Sequence, residues 1–136
     1  MKTETVLSGI RATGRLHFGN FLGAVNNFVR FQQAGHHCLY FIADMHTLTT
    51  LDNPQELRDN VLEVAKDYLA AGLDPNKSTI YTQSSVPEVA ELALYLAMFQ
   101  PLGELQVVPT YKDLVRKHPD RVTLGLITYP VLLAAD

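Results

Sequence analysis

Apolar and polar positions change period several times along this chain of 136 residues. Val6-Leu-Ser-Gly-Ile10 reads as a short buried strand, followed by glycines and small residues. From Asn20 the period becomes helical. Phe21, Leu22, Val25, Phe28 and Val29 fall at i, i+1, i+4, i+7 and i+8, one helix face, and Gly35 suits the C′ position that ends it. His37 to Ala43 is a continuous apolar run rich in strand formers, the pattern of a strand covered on both faces. A polar loop, Asp44 to Thr50, follows. Asn53 as N-cap, Pro54 at the first helical position and Glu56 closing a capping box then open a helix. Its inner face is Leu57, Val61, Val64, Ala65 and Tyr68, and Gly72 ends it. Thr79 to Thr82 is a third strand. Ser85 and Glu88 form a second capping box, ahead of a helix with Val89, Leu92, Ala93, Leu96 and Phe99 inside.

The order β-α-β-α-β-α argues for a parallel sheet with crossover helices, an α/β Rossmann-like doubly wound fold. After Pro101 the pattern predicts short helices and loop over one end of the sheet. The chain closes on the apolar run Thr123 to Asp136. Three strands are few for an open sheet of this class, so the expected architecture is incomplete, the front part of a longer domain.

Composition narrows the class. The chain is 47% apolar and 18% charged with a formal net charge of −3, and no Lys/Arg run marks a nucleic-acid surface. The single cysteine, Cys38, lies in an apolar run and reads as a buried small hydrophobe of a reducing compartment. Met1 to Leu7 lacks the apolar segment of a signal peptide, and no run approaches the roughly 18 apolar residues of a membrane span. The expected location is cytoplasmic, with no membrane partner.

In such a sheet ligands bind beyond the carboxyl ends of the strands. Three loops leave those ends: residues 11–20, 44–50 and 83–85. The first carries Thr13-Gly-Arg-Leu-His-Phe-Gly-Asn20. Gly14 allows a tight turn, Gly19 clears room for a flat base or ribose, helix-start amides favour phosphate oxygens, and His17 and Asn20 offer hydrogen bonds. The spacing matches neither a Walker loop nor G-x-G-x-x-G. The plainer alternative is a Gly-containing βα turn with an ordinary N-cap. In the second loop Asp44 and His46 either pair at a pocket, or Asp44 caps the loop and His46 is a satisfied histidine. No third ligand supports a zinc site there. Gln83, at a strand end, is expected to point into the same crevice. At the far end, Asp136 closes an apolar segment with Tyr129, Leu132 and Leu133. A carboxylate so placed needs a donor, unless it is simply an exposed last residue.

The element His17-Phe-Gly-Asn20 resembles the His-x-Gly-His/Asn signature of class I aminoacyl-tRNA synthetases. The chain as a whole is similar to their bacterial tryptophanyl branch. The matching pieces are Ser8-Gly-Ile10 with Thr13-Gly14, Gly19 to Ala24, Phe41-Ile-Ala-Asp-Met-His46, Gly72-Leu-Asp-Pro75, Gln83-Ser with Val86-Pro-Glu88, Gly103-Glu-Leu105 and Thr128 to Asp136. The tyrosyl enzymes share the first signature, and a non-charging relative is the other alternative. The resemblance implies activation of L-tryptophan by ATP with Mg2+, then charging of tRNA(Trp), by a full-length homodimer. By position it implies Arg11, Ala12, Thr13, Gly19 and Asn20 at ATP, and catalytic roles for His17, Asn20 and Lys112. It also implies a tryptophan site of Asp136, Leu7, His46, Tyr129 and Leu133, with Asp136 accepting the indole N–H.

The chain departs from that pattern in places. Arg11 and Ala12 replace the usual glutamine and proline, and Leu114 stands where a phosphate-binding lysine is usual, so Lys112 or Arg116 would substitute. The Lys-Met-Ser-Lys-Ser loop, the remaining strands and the anticodon-binding helices are not in these 136 residues. The tRNA contacts are expected mainly in those segments.

Overall fold

The computed structural model describes residues 2–117 and 119–136, with the side chain of Arg121 outside that description. Three parallel strands, β1 (Thr5–Arg11), β2 (His37–Ala43) and β3 (Ser78–Thr82), pair in the order β1-β2-β3. Thr5 lies opposite His37 and Cys38 opposite Ser78. The expected Rossmann-like sheet is therefore present in part. Within the described residues it advances in one direction only, and the reversal that completes a doubly wound sheet is not among these strands.

Strand alternation sets the two faces. Val6, Ile10, Cys38, Tyr40, Ile42 and Ile80 face a core shared with α2 (Asn26–Gln33) and α4 (Pro54–Ala70), which contribute Phe28, Val64 and Tyr68. The Phe28 and Tyr40 rings stack with centroids 4.4 Å apart. Cys38 is fully buried, as its apolar setting implied. On the opposite face Phe41 lies over Gly9, where a Cβ would stand 2.6 Å from the ring. Gln32 pins α2 to the turn before β3. Its Oε1 accepts from the Asp74 amide at 2.8 Å and the Ser78 hydroxyl at 2.9 Å, and its Nε2 donates to the Gly72 carbonyl at 3.2 Å.

Several expectations need correction. The first helix begins two residues earlier, as α1 (Phe18–Asn20), and continues through a π-turn (Phe21–Val25) into α2. One extra residue in that turn shifts the phase. Val25 and Phe28 are buried, while Phe21 and Leu22 are exposed. The Asp44–Thr50 loop opens with a one-turn helix, α3 (Asp44–Thr47). Asn53 caps α4 through the Gln55 and Glu56 amides, without a described return bond from Glu56. Ser85 caps nothing. Residues Gln83–Ser85 form a 3-10 turn whose Ser85 hydroxyl donates back to the Thr82 carbonyl, and α5 (Pro87–Ala97) starts after Val86. No α5 residue is buried, and Phe99, expected inside, is 87% exposed. Beyond it come α6 (Leu102–Gln106), α7 (Pro109–Lys117), a 3-10 turn (Pro119–Arg121) and α8 (Leu124–Ala135), which carries Pro130. Leu105, Ile127 and Val131 form a second small core.

Candidate functional site

Register brings the three strand-end loops together. Arg11 lies opposite Ala43, and Ile42 opposite Thr82, so all three loops leave the same edge of the sheet.

The first loop turns at Gly14, whose φ of 111° is closed to side chains that carry a Cβ without strain. Ala12 is fully buried, and its amide donates to the Thr47 hydroxyl at 2.9 Å. That hydroxyl in turn donates to the Ala43 carbonyl at 2.7 Å, so one threonine joins two loops. The Leu16 amide donates to Asp67 on α4 at 2.9 Å. His17 and Asn20 cap α1 reciprocally. His17 Nδ1 accepts from the Asn20 amide at 3.3 Å, and Asn20 Oδ1 accepts from the His17 amide at 3.2 Å. With Nδ1 used as an acceptor, the neutral ring carries its proton on Nε2, which is left as a donor on an exposed side chain. Gly19 has a second reason to be glycine: a Cβ there would lie 2.9 Å from the His17 ring. Among the described groups, the Phe18 and Gly19 amides have no acceptor.

Arg11 reaches from the end of β1 to the Thr50 hydroxyl. Its Nε is buried without a hydrogen-bond partner, and burial pushes the guanidinium below its ordinary pKa.

The second and third loops meet at Asp136. His46 Nε2 donates to Asp136 Oδ2 at 3.0 Å, with the two side chains only 9% and 8% exposed. Gln83 Nε2 donates to Asp136 Oδ1 at 2.5 Å, and Gln83 Oε1 accepts from the His46 amide at 3.2 Å. The rings of His46 and Tyr129 meet edge to face with centroids 6.5 Å apart. Burial, then the Asp136 charge, raises the Tyr81 phenol above its ordinary pKa. Of the two alternatives for this loop the second holds for Asp44, which accepts from the Met45 amide and from the Ser84 amide and hydroxyl, a loop-capping role, while His46 turns to Asp136.

Arg11, Ala12, Thr13, His17, Gly19 and Asn20 therefore share one turn, and His46, Tyr129 and Asp136 share one junction. Tyr129 and Leu133 of α8 and Asp136, its C-cap, follow one another at i, i+4 and i+7. Leu133 is 60% exposed and Leu7 on β1 is 44% exposed, and neither belongs to a buried core cluster. Lys112 is exposed on α7, with no described contact to the turn. Thr47, Asp67 and Ser84 have no site role in the sequence reading, whereas Gln83 is expected there at the crevice, without a named partner. Asp67 sits in an ordinary amphipathic helix and carried no signal. Gln83 was visible only as a polar residue at a strand end.

The chain matches the family model described as tRNA synthetases class I (W and Y) over residues 2–136. It is 51% identical over 133 residues to a tryptophan–tRNA ligase of Porphyromonas gingivalis, covering 98% of this chain and 40% of that protein. It is 50% identical over 133 residues to one of Rickettsia bellii, with the same coverage. In structure it resembles a Campylobacter jejuni tryptophanyl-tRNA synthetase complexed with ADP and tryptophan. The TM-score is 0.88 at 38% identity, covering 98% of this chain and 41% of that one. The chain thus spans about 40% of the length of the curated relatives it matches.

Proposed function

Because the chain belongs to the class I tRNA synthetases of the tryptophan and tyrosine group, we propose that it is the front part of a tryptophan–tRNA ligase catalytic domain. The carboxylate of L-tryptophan attacks the α-phosphorus of ATP, giving tryptophanyl-adenylate and pyrophosphate. The adenylate then acylates the terminal ribose of tRNA(Trp), mainly through segments outside these residues. The observation that carries the tryptophan assignment is Asp136, a buried carboxylate at the ligand edge with one oxygen held by His46 and the other by Gln83. Each oxygen keeps a further lone pair, and an indole N–H is the donor that fits it. A site built to accept that bond penalises a side chain lacking it.

The turn supplies the ATP side. His17 Nε2–H and the free Phe18 and Gly19 amides offer donors on the exposed side of the turn, which supports a phosphate-binding role. Lys112 would have to be brought to them by movement of α7 or by ligand. Among the described residues no three His, Cys, Asp or Glu groups converge as a metal cage. Mg2+ would accompany ATP, held by phosphate oxygens and water. Among the described residues no helix is long and apolar enough to cross a membrane. We place the whole protein in the cytoplasm as a homodimer. The exposed apolar side chains of α5 and beyond, including Leu94, Met98 and Phe99, support a covered face there.

Amino-acid-dependent ATP–pyrophosphate exchange by the full-length protein tests this reading. Exchange is expected with tryptophan and not with tyrosine. The substitution Asp136→Ala should cut kcat/KM for tryptophan by roughly 100-fold or more, in the range of lost buried polar recognition, with the KM for ATP little changed. Exchange with tyrosine alone, or equal losses for both ligands, overturns the assignment.

A further inference from the structure

Gln83 is buried to 1% exposure and uses both ends of its amide. Its oxygen accepts from the backbone of His46 and its nitrogen donates to Asp136, while the His46 ring donates to the other Asp136 oxygen. The three residues close a ring of hydrogen bonds spanning the end of β3, the start of α3 and the end of α8. A carboxylate held by one donor can rotate about its terminal torsion, which is broad for sp3–sp2 bonds. Held by a donor on each oxygen, its plane is set, and so are the directions of the two lone pairs that remain. The next residue reinforces this. Ser84 grips Asp44 with its amide and hydroxyl, so two consecutive residues clasp the first turn of α3 from which His46 projects.

We propose that Gln83 is a positioning residue for amino-acid specificity: it aims the free lone pair of Asp136 at the ring N–H of the substrate and thereby sets the preference for an N–H-bearing side chain. This rests on the tryptophan reading above and adds the residue that orients its acceptor. A purely structural glutamine would support all substrates alike. A positioning one matters only to a substrate that donates.

The test compares L-tryptophan with β-(3-benzothienyl)-L-alanine, in which sulfur replaces the ring N–H at nearly the same shape, in ATP–pyrophosphate exchange by the full-length protein. Gln83→Met keeps the length and removes both polar ends. Gln83→Glu keeps an oxygen for the His46 amide and replaces the donor to Asp136. For both variants kcat/KM for tryptophan should fall roughly 10- to 100-fold, the loss of a hydrogen bond to a charged group. The benzothienyl substrate should fall no more than about threefold, with the KM for ATP unchanged. An equal fall for both amino acids, or no fall in a folded variant, overturns the role of Gln83 and leaves the tryptophan reading standing. A wild-type protein that does not prefer tryptophan to the sulfur analogue removes the role of Asp136 itself, and the inference with it.

Discussion

Under the proposed function, removing the Asp67 carboxylate should loosen the turn assigned to ATP without touching the proposed amino-acid site. Asp67 lies on α4, and its Oδ2 accepts from the Leu16 amide at 2.9 Å, one residue before the N-cap His17. It is a side-chain anchor between that turn and the helix layer. The nearby pair Arg15–Glu63, at 3.5 Å with Arg15 mostly exposed, adds little. A hydrogen bond to a charged group is worth about 1.5–3 kcal/mol. The Leu16–Asp67 bond is only partly buried, so water recovers some of it, leaving about 1–2 kcal/mol for ordering the turn around ATP. At 1.36 kcal/mol per decade, Asp67→Ala should raise the KM for ATP about 5- to 30-fold in pyrophosphate exchange, with the KM for tryptophan unchanged. Asp67→Asn keeps a neutral acceptor and should lose about half that free energy. A KM for ATP within twofold of wild type in folded Asp67→Ala, or an equal rise for tryptophan, would refute the reasoning.

Two further outcomes follow from the core. Gln32→Leu strips three hydrogen bonds from the turn before β3 and leaves the Asp74 amide and Ser78 hydroxyl unpaired. It should cost about 2–4 kcal/mol in urea unfolding, and Ser78→Ala should cost only about 1 kcal/mol of that. Burial raises the Tyr40 and Tyr68 phenols well above their ordinary pKa. A folded pKa above the unfolded one gives stability that is complete below the unfolded value, near pH 10, and is lost as pH rises further. Alkaline titration should therefore show late tyrosinate absorbance coincident with unfolding, which Tyr68→Phe shifts to higher pH. Early titration of both phenols in the folded state would contradict their burial.

How much of this protein was legible in its residues depends on the range of the force involved. Strand β2 over His37–Ala43, the Asn53 cap with Pro54, the inner face of α4 and the strand-end position of the His17–Asn20 turn all follow from neighbours within one or two turns of chain. Periodicity and capping act at that range. From the order of those elements the parallel sheet follows, and with it the ligand edge. Misreadings arose where local grammar allowed two answers. Ser85 had the spacing of a cap, but its hydroxyl found the Thr82 carbonyl first. Phe21 and Leu22 had the period of a buried face, but a π-turn rotated them outward.

The site itself divides along the same line. Its residue types and loops were determined by the sequence. Its pairings were decided by tertiary structure, because they join residues far apart in the chain: Leu16 with Asp67, His46 with Gln83, and His46 with Asp136 across 90 positions. Asp44 and His46 stand two residues apart at a strand end, yet they serve different partners, because the turn of α3 points one at Ser84 and the other at α8. No periodicity encodes such contacts. They exist only once the sheet has set three loops side by side and α8 has carried its last carboxylate to them.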